Sequence, residues 1–219
     1  MSLRYGARMR PGTMVSTWLN GLVSGTVSLG AAYFAGGYVS GPVATVDKFA
    51  FTDDSRSTLG TGLSAARTTL AGAANSGTAA YFAGGESVST VDKFAFSDDG
   101  RTTLGTGLSA ATYALAGAAN SGTAAYFAGG NAPGAVTTVY KFAFSDDGRT
   151  TLSTGLSVAT GNLAGAANSG TAAYFAGGSA SPGTTVDKFA FSDDSRSTLG
   201  TGLSAATYGL AGAADSVSL

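Results

Sequence analysis

Short apolar segments alternate with polar turns along most of this chain, and the whole pattern recurs four times. The segment Ala-Ala-Tyr-Phe-Ala-Gly-Gly stands at residues 31–37, 79–85, 124–130 and 172–178, with start-to-start spacings of 48, 45 and 48 residues. A fixed period of about 20–50 residues indicates a repeat architecture. The chain therefore divides into four units that we expect to share one structure.

The apolar positions of each unit have the spacing of short strands. Residues 33–34 are aromatic and lie in a short apolar run closed by two glycines, which predicts a strand buried on both faces. In residues 45–51, alternation places Val46, Lys48 and Ala50 on one face, and an aspartate and two phenylalanines on the other. This second strand is therefore expected to have apolar neighbours on both sides.

An acidic turn and a polar segment follow in every unit. Ser57, Thr58 and Thr61 lie after the first turn and predict an outer strand at the solvent edge. The turns contain the only recurring acidic cluster, which makes them candidate calcium ligands. Aspartates in hairpin turns also bond their own backbone, and we expect that role here. The pairs are Asp53 and Asp54, Asp98 and Asp99, Asp146 and Asp147, and Asp193 and Asp194.

The last segment of each unit permits two interpretations. Residues 63–74 have apolar groups at helical spacing, with Ser64 as a candidate cap, so a strand-plus-helix repeat stays open. Against a helix stand Gly62, Gly72 and the threonines at 68–69, because glycine costs about 1 kcal/mol at each helical position. The sequence favours a strand.

The gradient of side-chain size across the unit predicts a propeller. Residues 71–74 are Ala-Gly-Ala-Ala, which suits a crowded innermost strand, whereas the middle strands carry the aromatic side chains. We expect an all-β fold, a small β-propeller of four four-stranded blades over residues 22–219. Residues 210–219 repeat the inner-strand pattern, so we expect this C-terminal strand to pair beside residues 31–35 and close the propeller.

Charge and composition narrow the range of partners. The 219 residues include 12 basic and 13 acidic residues, and the net charge is −1. Nucleic acids and anionic membranes require a basic face, so neither is an expected partner. No stretch approaches the roughly 20 apolar residues of a membrane span.

Histidine and cysteine are both absent from the chain. Zinc sites of the usual ligand type, Ser-His-Asp triads and Cys-His nucleophiles are therefore excluded. We expect a protein that is not an enzyme and that carries no cofactor and no metal.

The unit resembles a kelch repeat. The resemblance rests on the double glycine at 36–37, the aromatic Phe49 in the following strand and the 45–48-residue period, and it covers residues 22–219. It implies kelch-like four-stranded blades. The run Phe-Ala-Phe-Ser-Asp-Asp-Ser-Arg-Ser-Thr-Leu-Gly-Thr-Gly-Leu-Ser also resembles repeat proteins of tailed phages, notably those of cyanobacteria. That resemblance implies a virion component.

Two functions are therefore expected from the sequence. The first is a non-enzymatic structural or adhesive component of a phage particle, at a tail, fibre or capsid surface, located in the virion. The alternative is a secreted or extracellular propeller that binds or processes carbohydrate, with calcium as a candidate requirement. The low charge and small-residue surface predict a homo-oligomer. Other virion proteins and a host surface glycan or receptor are the further expected partners.

Candidate partner-binding residues lie in two regions. Residues 1–21 form a predicted N-terminal arm; their apolar run is interrupted by polar residues, which disfavours a cleaved signal peptide. The loops after each Gly-Gly vary within an otherwise strict repeat, as the binding face of a repeat protein does. The candidates are Arg4, Arg8, Arg10 and Trp18 in the arm, and Tyr38, Glu86, Asn131 and Ser179 in the loops.

Overall fold

The computed structural model describes residues 30–86 and 88–215, which form fifteen strands in four antiparallel sheets. The expectation of an all-β fold is confirmed, since no helix occurs in these residues. Sheet 1 consists of β1 (Ala31–Ala35), β2 (Val46–Ala50) and β3 (Arg56–Thr58). The predicted arm and its residues Arg4, Arg8, Arg10 and Trp18 lie outside the described residues.

Sheets 2, 3 and 4 have four strands each, and each follows the chain order from an inner to an outer edge. Sheet 2 is β4 (Ala71–Asn75), β5 (Ala79–Ala83), β6 (Val91–Ala95) and β7 (Arg101–Thr103). Sheet 3 is β8 (Ala116–Asn120), β9 (Ala124–Ala128), β10 (Val139–Ala143) and β11 (Arg149–Thr151). Sheet 4 is β12 (Ala164–Asn168), β13 (Ala172–Ala176), β14 (Val186–Ala190) and β15 (Arg196–Thr198).

The innermost segments are strands, as the sequence favours, and the helical alternative is wrong. Strands β4, β8 and β12 lie side by side in a row. A Cβ added to Gly117 would lie 2.2 Å from the carbonyl oxygen of Gly72, and one added to Gly165 would lie 2.3 Å from that of Gly117. Only glycine permits this backbone approach, which explains the small residues of this segment.

The core lies between the sheets. Each sheet has a tyrosine face, which carries Tyr33 or its equivalent with the neighbouring valine and lysine, and a phenylalanine face, which carries the other aromatic residues. The tyrosine face of sheet 1 packs on the phenylalanine face of sheet 2, with Val46 and Phe94 fully buried between them. The boundaries between sheets 2 and 3 and between sheets 3 and 4 repeat this arrangement. The predicted alternation of faces is therefore confirmed.

The predicted closure by the C-terminal strand is not formed among the described residues. Strand β1 pairs with β2 alone, so sheet 1 has three strands, and residues 210–215 form no strand. A Cβ added to Gly212 would lie 2.7 Å from the carbonyl oxygen of Gly165. The segment thus lies beside β12 and extends the row of inner strands beyond it. Four sheets packed in this way are compatible with a propeller-like arrangement.

Candidate functional site

A tyrosine, a lysine and an aspartate meet at each of the three described boundaries between sheets. At the boundary of sheets 2 and 3, the Tyr81 hydroxyl donates to Oδ1 of Asp147 at 2.7 Å. Lys93 Nζ donates to both oxygens of the same carboxylate, at 3.0 and 2.8 Å. We term these groups the Tyr-Lys-Asp junctions. The other two are Tyr33, Lys48 and Asp99, and Tyr126, Lys141 and Asp194.

Strand register and turn geometry together place these side chains. Tyr81 and Lys93 are direct cross-strand neighbours on β5 and β6, so they point to the same face. Asp147 has a φ of 56° in the turn after β10, and its N–H donates to the carbonyl oxygen of Ala143 at 2.9 Å. This left-handed conformation, which aspartate tolerates better than most residues, accompanies the contact of its carboxylate with the preceding sheet.

The two aspartates of each turn have different roles. Asp146 Oδ1 accepts a hydrogen bond from the backbone N–H of Gly148 at 2.8 Å, within its own turn. Asp147 instead bonds the neighbouring sheet. The predicted turn role is thus confirmed for the first aspartate of all four turns, and the second aspartate connects two sheets in the last three turns. Among the residues described, no three His, Cys, Asp or Glu side chains are grouped so that they could hold a metal ion.

Burial and hydrogen bonding shift the pKa values in the junctions. Burial, followed by the hydrogen bond to Asp147, raises the pKa of Tyr81 above its ordinary value of 10.0. Burial opposes ionisation of Asp99, but hydrogen bonds from Lys48 and Tyr33 outweigh it and lower the pKa of the carboxyl. The hydrogen bond to Asp99 also raises the pKa of Lys48. Burial also raises the pKa of Tyr33, so the junction of Tyr33, Lys48 and Asp99 holds a charged pair and a neutral phenol at neutral pH.

Each tyrosine is also enclosed by a phenylalanine and a lysine. The rings of Tyr81 and Phe144 have centroids 5.1 Å apart, and Lys93 Nζ lies 5.4 Å from the centre of the Tyr81 ring. Phe96 stacks on Tyr33 in the same way at 5.0 Å. Aromatic pairs and cation–aromatic contacts of this kind each stabilise by roughly 0.5–1.5 kcal/mol.

A buried ion pair distinguishes the boundary of sheets 1 and 2. Arg67 Nη2 lies 2.9 Å from Asp92 Oδ2, and both side chains are completely buried. Arg67 also donates to Thr90 Oγ1 and to the carbonyl oxygen of Phe82. Burial tends to lower the pKa of Arg67, and the charge of Asp92 opposes that effect. The contact with Asp92 therefore favours the charged form of Arg67 inside the core.

Sequence reasoning identified neither the junctions nor this pair. The signal for the junctions was the strict recurrence of Tyr, Lys and the second Asp. The signal for the pair was Arg67 itself, because the equivalent residue in the other three units is threonine. At the next boundary Tyr140 replaces Asp92, and its hydroxyl lies 2.7 Å from Ser109 Oγ.

The four loop residues predicted to bind partners occupy equivalent places directly after Gly-Gly. Tyr38 is 71% exposed, Glu86 and Ser179 are exposed, and Asn131 is half-buried. Asn131 and Tyr113 exchange backbone hydrogen bonds at 2.9 and 3.2 Å. Their role in binding stays a prediction.

The structure brings these loops into one series. The segments that precede the inner strands form backbone hydrogen bonds with these loops. The N–H of Gly37 donates to the carbonyl oxygen of Arg67 at 3.0 Å, and the N–H of Glu86 donates to the carbonyl oxygen of Thr68 at 3.3 Å. The same connection recurs from Gly130 to Thr160 and from Ser179 to Gly161, at 2.8 and 2.9 Å. The variable loops are thus held on one side of the array by the repeated backbone.

None of the described residues belongs to a helix with the length and apolar composition that crossing a membrane requires.

Comparisons with known proteins do not assign this fold to a family. A scan against protein-family models and a search of curated proteins both find no match to the chain. The resemblance to kelch and tailed-phage repeats therefore stays an expectation from the sequence motifs alone.

Proposed function

We propose that this protein is a non-enzymatic structural or adhesive component of a phage particle, built as a kelch-like propeller array and acting through protein or receptor contacts. One observation carries the structural part of this proposal. A lysine of one sheet bonds an aspartate of the next at each of the three described sheet boundaries. They support the scaffold, and the variable loops are left as the surface that differs from unit to unit.

Further polar contacts between sheets support a scaffold role. Asn75 Oδ1 accepts a hydrogen bond from the N–H of Gly122 at 2.8 Å, which connects the inner ends of sheets 2 and 3. Arg101 Nη1 donates to the carbonyl oxygen of Gly62 at 2.8 Å, which connects the outer strand of sheet 2 to the preceding unit. A framework held at its inner and outer edges suits a protein whose task is to present surfaces.

The virion assignment rests on the resemblance of the repeat to tailed-phage proteins. It is tested by mass spectrometry of density-purified particles of a phage that encodes this chain. We expect that the protein is present at a constant copy number per particle, and that an antibody against it labels the particles at one site. Presence only in the soluble lysate fraction would contradict the virion assignment.

The loops are the proposed contact surface, and they can be tested separately. We expect replacement of residues 131–137 by the shorter loop 86–89 to leave folding intact and to weaken attachment or incorporation. The exchange of Thr102 for serine, as found at the equivalent Ser57, is the matched control. A glycan array that is probed with and without calcium tests the carbohydrate alternative. Calcium-dependent sugar binding by a protein absent from particles would favour the carbohydrate alternative.

A further inference from the structure

We propose that copies of this chain join head to tail. The tyrosine face of sheet 4 and residues 211–215 of one copy would dock on the phenylalanine face of sheet 1 and the free edge of β1 in the next copy. The occupant of both surfaces is thus a second copy of the same chain. This inference does not depend on the phage assignment.

The internal boundaries define what each of these faces contacts. At all three, a tyrosine face packs on the phenylalanine face of the next sheet. Within the described residues, the tyrosine face of sheet 4 and the phenylalanine face of sheet 1 have no such neighbour. They are therefore the two halves of a fourth boundary of the same kind.

The charges of the two faces are complementary. Lys188 Nζ lies 6.0 Å from the centre of the Tyr174 ring, as the other junction lysines lie over their tyrosines, but no carboxylate in the described part of the chain pairs with it. Asp54 is the equivalent of Asp99, and no lysine of the described part bonds it. Its φ of 56° matches the 56–59° of the other three junction aspartates. One more junction would thus form from Tyr174 and Lys188 of one copy and Asp54 of a second copy. These residues have the same types and the same backbone geometry as those of the three internal junctions.

The aromatic side chains of sheet 1 are exposed where their equivalents are covered. Phe34 is 62% exposed, whereas its equivalent Phe82 is 7% exposed. Phe51 is 56% exposed, whereas its equivalent Phe96 stacks on Tyr33. A docked Tyr174 would cover Phe51 in the same way. Burial of such apolar surface is the main driving force of association.

Among the described residues, no inner strand lies beside β1, whereas each of the other three sheets has one. A cavity of about 440 Å³ lies there, lined in part by Phe34, Leu70, Gly72 and Phe82. Gly117, Gly165 and Gly212 each approach the carbonyl oxygen of the preceding inner segment. Gly72 has no such backbone neighbour in the described residues, because its nearest atom is a Phe82 ring carbon at 3.4 Å. An inner strand therefore fits between Gly72 and the free edge of β1.

Residues 211–215 of a second copy match that place. The segment is exposed, forms no strand, and has the sequence Ala-Gly-Ala-Ala-Asp, against Ala-Gly-Ala-Ala-Asn in β4. The pairing of β4 with β5 sets Ala71 opposite Ala83. By the same register, Ala211 of one copy would lie opposite Ala35 of the next. Strand addition at an open edge is an established mode of recognition, and a repeated interface of two different surfaces builds rings or filaments.

Charge reversal tests the proposed contact. We expect Asp54→Lys and Lys188→Asp each to shift the protein toward monomer in analytical ultracentrifugation, with the apparent dissociation constant raised roughly tenfold or more. An equimolar mixture of the two variants should associate again, because each supplies the charge that the other needs. Asp98→Lys makes the same change of charge in another turn and should associate like the wild type. Circular dichroism should show the same fold in all of them.

Thiol cross-linking tests the proposed strand register between two copies. Because the chain contains no native cysteine, only the introduced thiols can react. Ala35→Cys and Ala211→Cys variants, mixed and treated with a short thiol cross-linker, should give a covalent dimer. Ala35→Cys mixed with Ser197→Cys, on an outer strand, should not.

Three results would overturn the proposal. The first is a wild-type protein that stays monomeric at high concentration. The second is a cross-linked monomer from the Ala35→Cys, Ala211→Cys double variant with no dimer from the mixture, which would indicate closure within one chain. The third is a failure of the charge-reversed mixture to associate.

Discussion

Tyr81 and Asp147 lie 66 residues apart in the chain, yet their side chains share a hydrogen bond of 2.7 Å across the boundary of two sheets. The bond joins the second strand of sheet 2 to the outer turn of sheet 3, and it is repeated at the two other described boundaries. Each boundary therefore has its own polar attachment in addition to its apolar core.

Removal of a junction aspartate should destabilise the protein more than removal of its neighbour in the turn. Asp147→Ala deletes the acceptor of both Tyr81 and Lys93, and we expect a loss of about 1–3 kcal/mol in the free energy of unfolding. Asp146→Ala removes one turn hydrogen bond and should cost about 0.5–1.5 kcal/mol. Urea denaturation of the two variants measures the difference. Equal losses would contradict the role assigned to the junction.

The buried pair of Arg67 and Asp92 should be costly to break from one side. Arg67→Thr leaves an uncompensated buried carboxylate, and we expect a loss of about 3–5 kcal/mol. The double variant Arg67→Thr with Asp92→Tyr copies the residues of the next boundary, Thr112 and Tyr140. It should recover much of that loss in denaturant unfolding. A double variant less stable than the single one would show that the two boundaries are not interchangeable.

The row of inner strands should not accept a methyl group at its closest approach. Gly117→Ala would place a Cβ 2.2 Å from the carbonyl oxygen of Gly72. We expect a loss of about 1–3 kcal/mol or more. Gly105 has open space around it, so Gly105→Ala is the matched control and should change the melting temperature little. Thermal unfolding followed by circular dichroism compares them, and equal melting temperatures would refute the inner-strand contact.

Alkaline pH should weaken the fold through the junction tyrosines. The pKa of Tyr81 is raised in the folded state above its ordinary 10.0. As the pH rises above about 10, the unfolded chain loses this proton first, so the free energy of unfolding falls. Tyr81→Phe should reduce the slope of stability against pH between 9 and about 11. An unchanged slope would mean that this hydroxyl does not control the alkaline limb.

Acid should weaken the same junctions through the aspartates. The folded state lowers the pKa of Asp99 below its ordinary 3.8, so its contribution to stability is present above that value. It is lost as the pH falls through 3.8 toward the lower folded pKa, since the unfolded chain then binds the proton first. Asp99→Asn should therefore reduce the dependence of the free energy of unfolding on pH below about 4, as measured by urea denaturation at a series of pH values. An unchanged dependence would contradict this role of Asp99.

Local sequence predicted the elements better than it predicted their connections. The alternation around Lys48, the Gly-Gly ends and the small residues at 71–74 were sufficient to identify the strands, because each depends on neighbouring residues alone. The contact of Tyr33 with Asp99 depends on which sheet packs against which face, and the spacing along the chain does not contain that information. The predicted closure is not seen among the described residues for the same reason: the pattern of residues 210–219 resembles an inner strand, but it does not specify which sheet that strand would join.

The inner strand of each four-stranded sheet comes from the unit before the one that supplies the other three strands. The sequence repeat and the folded sheet are therefore offset by one strand, so that each four-stranded sheet contains residues of two consecutive units. Recombination between equivalent positions of two units would add or remove a whole sheet wherever the crossover fell. Because all three described boundaries pair the same two faces, the product would keep a tyrosine face against a phenylalanine face at every new boundary. The length of such a protein can thus change over evolutionary time without a change in its packing.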